Sequence, residues 1–342
     1  MIELQNNSKL QFLFGEAILS ALSDPQVTDV MVNPDGTLWL DTFDGRKPTG
    51  ERLEANRIYN IICTVASLID EVVNRAHPDI RAEIPFPVNE NHQRLLRFQG
   101  AIPPIVRGPS FTIRIPSSRV FTLDEYLEAG ALTWDQQEYL QAAIRNRRNI
   151  LIVGNTGSGK TTFLNALIEE ITGQNPQERI VTIEDTFELQ VNVPNNVSFR
   201  SSEEIDMDRL LRNSLRNNPD RILVGEVRGK EALTMLKSWN TGHCGMCTIH
   251  ANDALSGLIR IEQLIHEAGI MPVPEVIAST VNVVVYLEKN KFCKAGRCVS
   301  EIREVSGYDR RLRQYITTAI ESLYGNSENE RREFLYELME LN

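Results

Sequence analysis

Eight consecutive residues, Gly154, Asn155, Thr156, Gly157, Ser158, Gly159, Lys160 and Thr161, spell G-x-x-x-x-G-K-[ST]. Glycines at these positions let backbone N–H groups curl around a β-phosphate without Cβ clashes. Lys160 can reach the β- and γ-phosphates, and the Thr161 hydroxyl can ligate Mg²⁺. Thr162 continues the same turn into a helix N-terminus, which favours an anion. The chemistry expected is binding of a nucleoside triphosphate together with Mg²⁺.

Binding is not hydrolysis. Turnover also needs a carboxylate that orients water, a metal site and positive charge for the transition state. The run Arg221-Ile-Leu-Val-Gly-Glu-Val-Arg-Gly229 is an apolar strand ending in an acid, so Glu226 is expected to polarise the attacking water. Gly225 leaves one acid there instead of an Asp-Glu pair, and metal coordination must lean elsewhere. Glu184 and Asp185 end another apolar run, with Glu188 just beyond, and are expected to join Thr161 in the Mg²⁺–water network. His243 and His250 bracket one strand. His250 closes it and suits a γ-phosphate sensor; His243 has the weaker case. Arg228, two residues after Glu226, is a candidate for transition-state charge, and Arg216 a weaker one.

These side chains need strands that end together. Ile150–Val153 precedes the glycine loop, and Phe163, Leu164, Leu167, Ile168 and Ile171 follow at helical spacing. Further strands are expected at Ile180–Glu184, Ile222–Gly225, Met246–His250 and Val281–Leu287, with helices between. That alternation predicts an α/β domain with a mostly parallel sheet and helices on both faces. A smaller α+β domain precedes it. It has a helix at 8–22, strands Val27–Val32 and Thr37–Asp41 about an Asn33-Pro-Asp-Gly36 turn, and a helix over 54–75. Extended pieces follow at Ile80–Pro85, Arg94–Phe98 and Phe111–Ile115. The divisions expected are 1–116, a linker at 117–133, and 134–342. Residues 314–342 read as helical with a break at 325–329.

Composition narrows the rest. A net charge of −10 argues against a dominant nucleic-acid-binding face, so no stable direct nucleic-acid contact is expected. Glu16 interrupts the only early apolar stretch, no basic region precedes it, and no run is long enough for a membrane span. Five cysteines, an odd number, suit a reducing compartment. The expectation is a cytoplasmic protein with, at most, peripheral membrane contact.

Four boxes then stand in order: residues 154–161, Ile183-Glu-Asp-Thr-Phe-Glu-Leu189, Val224-Gly-Glu-Val-Arg-Gly229, and Gly242-His followed by Thr248-Ile-His-Ala-Asn252. In this the chain resembles the type II/IV secretion traffic ATPases, and most of all their conjugative-transfer, TrbB-type branch. Arg94-Leu-Leu-Arg-Phe-Gln-Gly-Ala-Ile-Pro-Pro104 and Phe111-Thr-Ile-Arg114 match that branch too. The resemblance implies a ring-shaped homohexamer at the inner face of a bacterial inner membrane, working with inner-membrane components of a secretion or conjugation machine. ATP hydrolysis would power pilus assembly or export of protein or DNA. It also implies that the C-terminal α/β domain is a RecA-like P-loop NTPase domain preceded by an N-terminal domain, and that N-terminal arginines reach the nucleotide phosphates, for which Arg97 and Arg114 are the fitting positions. Alternatives are a type II secretion or type IV pilus assembly ATPase, a nucleic-acid-translocating motor, and a nucleotide-gated scaffold that turns over little. No Ala-Ile-Arg-Asn-Leu box of the pilus-retraction ATPases is present, which favours secretion. Cys244, inside the nucleotide site, and Cys247, Cys293 and Cys298 read as small buried hydrophobes rather than the zinc module of some type II relatives.

Overall fold

The computed structural model describes residues 8–42, 45–89, 92–116, 119–202, 204–290, 293 and 295–320. They form two compact units, Met1–Arg119 and Val120–Asn342.

The first unit runs α1 (Ser8–Ser23), β1 (Val27–Val32), β2 (Thr37–Thr42), β3 (Gly45–Arg52), α2 (Ala55–Leu68), β4 (Asp79–Asn89), β5 (His92–Ala101) and β6 (Ser110–Arg114). Its strands form one antiparallel sheet in the order β3-β2-β1-β6-β5-β4. Apolar residues of α1 and α2, among them Phe14, Ile18, Ile58 and Ile62, pack with Val30, Phe98 and Ile113 of the sheet. Helix α1 breaks at Gly15, whose φ of 65° leaves the helical region. Arg57 of α2 crosses the break and donates to the carbonyls of Leu13 (2.8 Å) and Phe14 (3.1 Å). A Cβ at Gly15 would lie 2.3 Å from that guanidinium, so only glycine fits. Helix α2 stops at Leu68, short of the expected 75. Asp70 takes a positive φ, and Val72, which continues the apolar period, is exposed.

The second unit begins with α3 (Leu123–Glu128), a helix inside the stretch read as linker, of which residues 117 and 118 lie outside the described residues. Thr122 and Glu125 close a reciprocal capping box there, which starts the helix. Next come α4 (Trp134–Arg145), β7 (Ile150–Gly154), α5 (Lys160–Gln174), β8 (Ile180–Glu184), β9 (Asn196–Arg200), α6 (Met207–Ser214), β10 (Arg221–Val224), α7 (Glu231–Asn240) and β11 (Cys244–Ile249). The unit ends with α8 (Ala254–Glu267), α9 (Pro274–Thr280), β12 (Val283–Lys289), β13 (Arg297–Asp309) and β14 (Gln314–Ala319). The sheet order is β14-β13-β12-β7-β11-β10-β8-β9. From β12 through β9 every pairing is parallel, and β13 and β14 are antiparallel additions.

Both faces of this sheet are covered, so alternate residues of one strand enter different cores. Ile150 and Ile152 of β7 pack with Leu140 of α4 and Phe163 and Leu167 of α5. Leu151 and Val153 pack with Met235 of α7 and Leu258 and Ile261 of α8. Each buried aliphatic side chain of this kind stabilises by about 1.5–3 kcal/mol. The expected C-terminal helix is corrected over 314–319. That segment is β14, rich in β-branched residues and paired with β13 from Asp309↔Gln314 to Arg303↔Ala319. Residues 321–342 of the same expectation lie outside the described residues.

Candidate nucleotide site

The glycine loop leaves the C-terminal end of β7, an inner strand, and turns into α5. Gly154, Gly157 and Gly159 all have positive φ (159°, 73° and 93°). A Cβ at Gly154 would lie 2.4 Å from the Leu287 carbonyl oxygen and 2.5 Å from Ser158 Oγ, so the strand exit tolerates no side chain. Asn155 and Thr156 are exposed, Ser158 is buried beneath the turn, and Thr161 and Thr162 occupy the first turn of α5. Buried Lys160 bends back and donates from Nζ to the carbonyls of Gly154 (2.9 Å) and Asn155 (3.3 Å).

Around the lysine the strand ends supply a connected set of charges. Lys160 Nζ lies 3.2 Å from His250 Nδ1. An ammonium only donates, so Nδ1 must accept, and the neutral ring carries its proton on Nε2. That nitrogen sits 2.9 Å from Glu226 Oε1. The other oxygen of Glu226 accepts from Arg228 Nη2 (2.6 Å), and Arg228 Nη1 lies 3.3 Å from Asp185 Oδ2. Burial pushes the Glu226 carboxyl up, but the Arg228 hydrogen bond and the charges of Arg228, His250 and Lys160 outweigh it and hold the group below the usual range. Burial and the Lys160 cation depress His250 in turn, keeping it neutral at neutral pH. Lys160, His250, Glu226, Arg228 and Asp185 are thus brought together from β7–α5, β11, β10 and β8.

Glu184 has a further task. Its Oε1 accepts from the backbone N–H of Glu188 (2.8 Å) and Leu189 (2.9 Å), fixing the turn after β8. A Cβ at position 225 would approach its Cγ to 3.1 Å, so the missing second acid of the strand end makes room for this side chain. Hydroxyl and carboxylate oxygens at Thr161, Glu184 and Asp185 are the hard donors that Mg²⁺ takes.

Other expected residues lie elsewhere. His243 immediately precedes β11 and His250 follows its end, about 20 Å apart along the strand. Arg216 is exposed in a single 3₁₀ turn before β10, at the end of the sheet away from the glycine loop. Cys244 is at that end too, donating to the Asp220 carbonyl (3.4 Å), which corrects its expected place in the nucleotide site. Cys244 and Cys247 are buried, whereas Cys293 and Cys298 are half-buried. Arg97 and Arg114 belong to the first unit, where they are direct cross-strand partners on β5 and β6, half-buried and exposed respectively. The sequence reading missed two supporting groups. Glu231 accepts from the backbone N–H of Arg228 (2.6 Å) and Gly229 (2.7 Å), and Ser201 donates to Asp185 (2.8 Å). An acid in the first turn of α7 was the available signal for Glu231.

A parallel sheet with a phosphate loop at the end of an inner strand, and acids on neighbouring strand ends, defines a RecA-like P-loop NTPase domain. The chain belongs to the type II/IV secretion system protein family, whose model matches residues 16–342. It is 43% identical over 302 residues to a probable conjugal transfer protein TrbB of Sinorhizobium fredii (strain NBRC 101917 / NGR234), covering 88% of this chain and 90% of that protein. It is 31% identical over 296 residues to the type IV secretion system protein VirB11 of Bartonella quintana (strain Toulouse), covering 74% and 80%. Among solved structures, the Yersinia pseudotuberculosis ATPase DotB aligns with a TM-score of 0.62 at 16% identity, over 97% of this chain and 85% of that one, a likeness of fold. The resemblance drawn from the four boxes, to a TrbB-type traffic ATPase, holds.

Proposed function

We propose that this chain hydrolyses ATP to power conjugative transfer through a type IV secretion machine. The observation that carries the reading is the connected set Lys160, His250, Glu226, Arg228 and Asp185 beside the glycine loop. Family membership and the conjugal-transfer relative support the biological setting.

In this reading the loop amides and Lys160 hold the β- and γ-phosphates, and Thr162 continues the cradle. Glu226, ionised because Arg228 outweighs its burial, orients the attacking water. His250 presents Nε2–H towards Glu226 and reports the arrival of the γ-phosphate at Lys160. Arg228 can exchange Glu226 or Asp185 for a phosphate oxygen. Thr161, Glu184 and Asp185 would hold Mg²⁺, which neutralises charge on the β- and γ-oxygens when bound. Arg97 and Arg114 are proposed, from their match to the conjugative branch, to meet the phosphates as well.

The same reading makes the protein a homohexamer bound peripherally at the inner face of the inner membrane. Among the described residues no helix is long and apolar enough to cross a membrane, so the attachment would run through membrane components of the machine. The test is steady-state ATPase activity of the full chain with Lys160→Ala. A loss of at least about a hundredfold is expected; near-normal turnover would remove the phosphate loop from the reaction.

A further inference from the structure

Two cations that no sequence motif singles out cover the other flank of the glycine loop. In the register of β12 against β7, Leu287 pairs with Gly154, so Lys289 projects beyond the strand exit. Lys289 is in turn the cross-strand partner of Arg297 on β13. A Cβ placed on Gly157 would lie 2.9 Å from Lys289 Nζ and 3.2 Å from its Cε. A Cβ on Gly159 would lie 3.4 Å from Arg297 Cδ and 3.6 Å from its Nη1. Both side chains therefore lie across the loop, and the loop glycines provide the room. Lys289 is exposed; Arg297 is half-buried, and its charge acts on the Tyr126 hydroxyl against the burial that raises it.

Sheet order fixes which part of a nucleotide they can serve. Glu226 and His250 follow β10 and β11, on one side of β7, whereas β12 and β13 lie on the other. Neighbouring strands are about 4.8 Å apart. A triphosphate cradled by the loop with its terminal phosphate towards Glu226 must run its opposite end towards β12. We infer that Lys289 and Arg297 form a second cationic wall of the site and bind the α-phosphate end of the nucleotide. The inference rests on the triphosphate reading of the loop. It gives the two flanks different duties: the Glu226 side acts on the phosphate that leaves, and the Lys289 side retains the nucleoside diphosphate that stays.

The test is calorimetric titration of the full chain with ADP and, separately, with a non-hydrolysable ATP analogue, alongside steady-state ATPase kinetics. Lys289→Gln is expected to weaken both ligands by the same factor, about tenfold, the scale of one charge-assisted hydrogen bond. KM for ATP should rise with it, and the loss should fall on KM more than on kcat. Adding Arg297→Gln should deepen the loss, and Lys289→Arg should recover most of the affinity. Unchanged ADP affinity in both Gln variants overturns the inference, as does a loss confined to the ATP analogue, which would place these cations at the γ-phosphate. Lys160→Ala is the control. If it keeps full ADP affinity, the loop reading fails and this inference falls with it. If it loses ADP while Lys289→Gln and the double variant do not, only the second wall is wrong.

Discussion

The two ends of the parallel sheet both gather charge and treat it in opposite ways. At the start of the strands Arg221, 1% exposed, is locked against Glu178, 5% exposed. It also donates to the Ile144 carbonyl at 2.9 Å, and Arg147 adds a second contact to Glu178 at 2.9 Å. At the strand ends near the glycine loop, Glu226 is 20% exposed, His250 45%, Asp185 48% and Arg228 64%. Those groups hold one another, and solvent reaches them. A buried ion pair has no partner to exchange; a half-exposed chain of ion pairs can release members to an incoming phosphate. Charge alone does not mark a site. What distinguishes the loop end is that its partners are replaceable.

The largest effect on folding should come from the buried pair. Arg221→Met leaves the Glu178 carboxylate buried with its main partner gone, and stability should drop by about 3–5 kcal/mol, read as a lower denaturant midpoint. Nucleotide affinity below the unfolding transition should hold. A neutral Arg221→Met would erase the contrast between the two ends.

The same truncation at the loop end should cost little stability, because the pair is half-exposed, and should act on chemistry. Arg228→Ala removes the strongest influence lowering the Glu226 carboxyl, so that group should release its proton at higher pH. Turnover should fall about tenfold, and the acid limb of kcat/KM should shift to higher pH. An unmoved limb would show that Arg228 does not tune Glu226.

A smaller effect sharpens the comparison further. His250 should titrate below its ordinary 6.5 by NMR, since burial and the Lys160 cation both disfavour its charged form. Its contribution to stability is therefore fully present above that ordinary value and is lost as pH falls from there through the lowered folded-state value. Lys160→Met removes the cation, and the His250 midpoint should rise. A midpoint that stays put would mean the 3.2 Å contact carries no electrostatic coupling.

Much of this was legible from residue order. The strands that end at the site, β7, β8, β10 and β11, are buried along their whole length and read as continuous apolar runs. The strands that went unread include three at sheet edges. β3 is Gly45–Arg52, fully exposed with Pro48 inside it; β9 and β14 close the two sides of the larger sheet. An edge strand on the surface buries too few side chains to print an alternating pattern, and Pro there gives up no ladder bond. β14 also alternates only between exposed and half-buried residues, which left Tyr315 and Ile316 readable as a helix. Within the site, motif spacing named Lys160, Glu226 and His250. Glu231 and Lys289 escaped because their relevance comes from a turn and a strand register, contacts that spacing does not encode.

The central claim is that Glu226 acts on water at the terminal phosphate and not on nucleotide capture. Its direct test is Glu226→Gln in the full chain, with ATP binding measured by calorimetry and hydrolysis followed in a single turnover. The account predicts ATP affinity close to that of the unsubstituted protein and a hydrolysis step slowed by at least about a hundredfold. Hydrolysis at the unsubstituted rate, or a loss that lies wholly in binding, would contradict it.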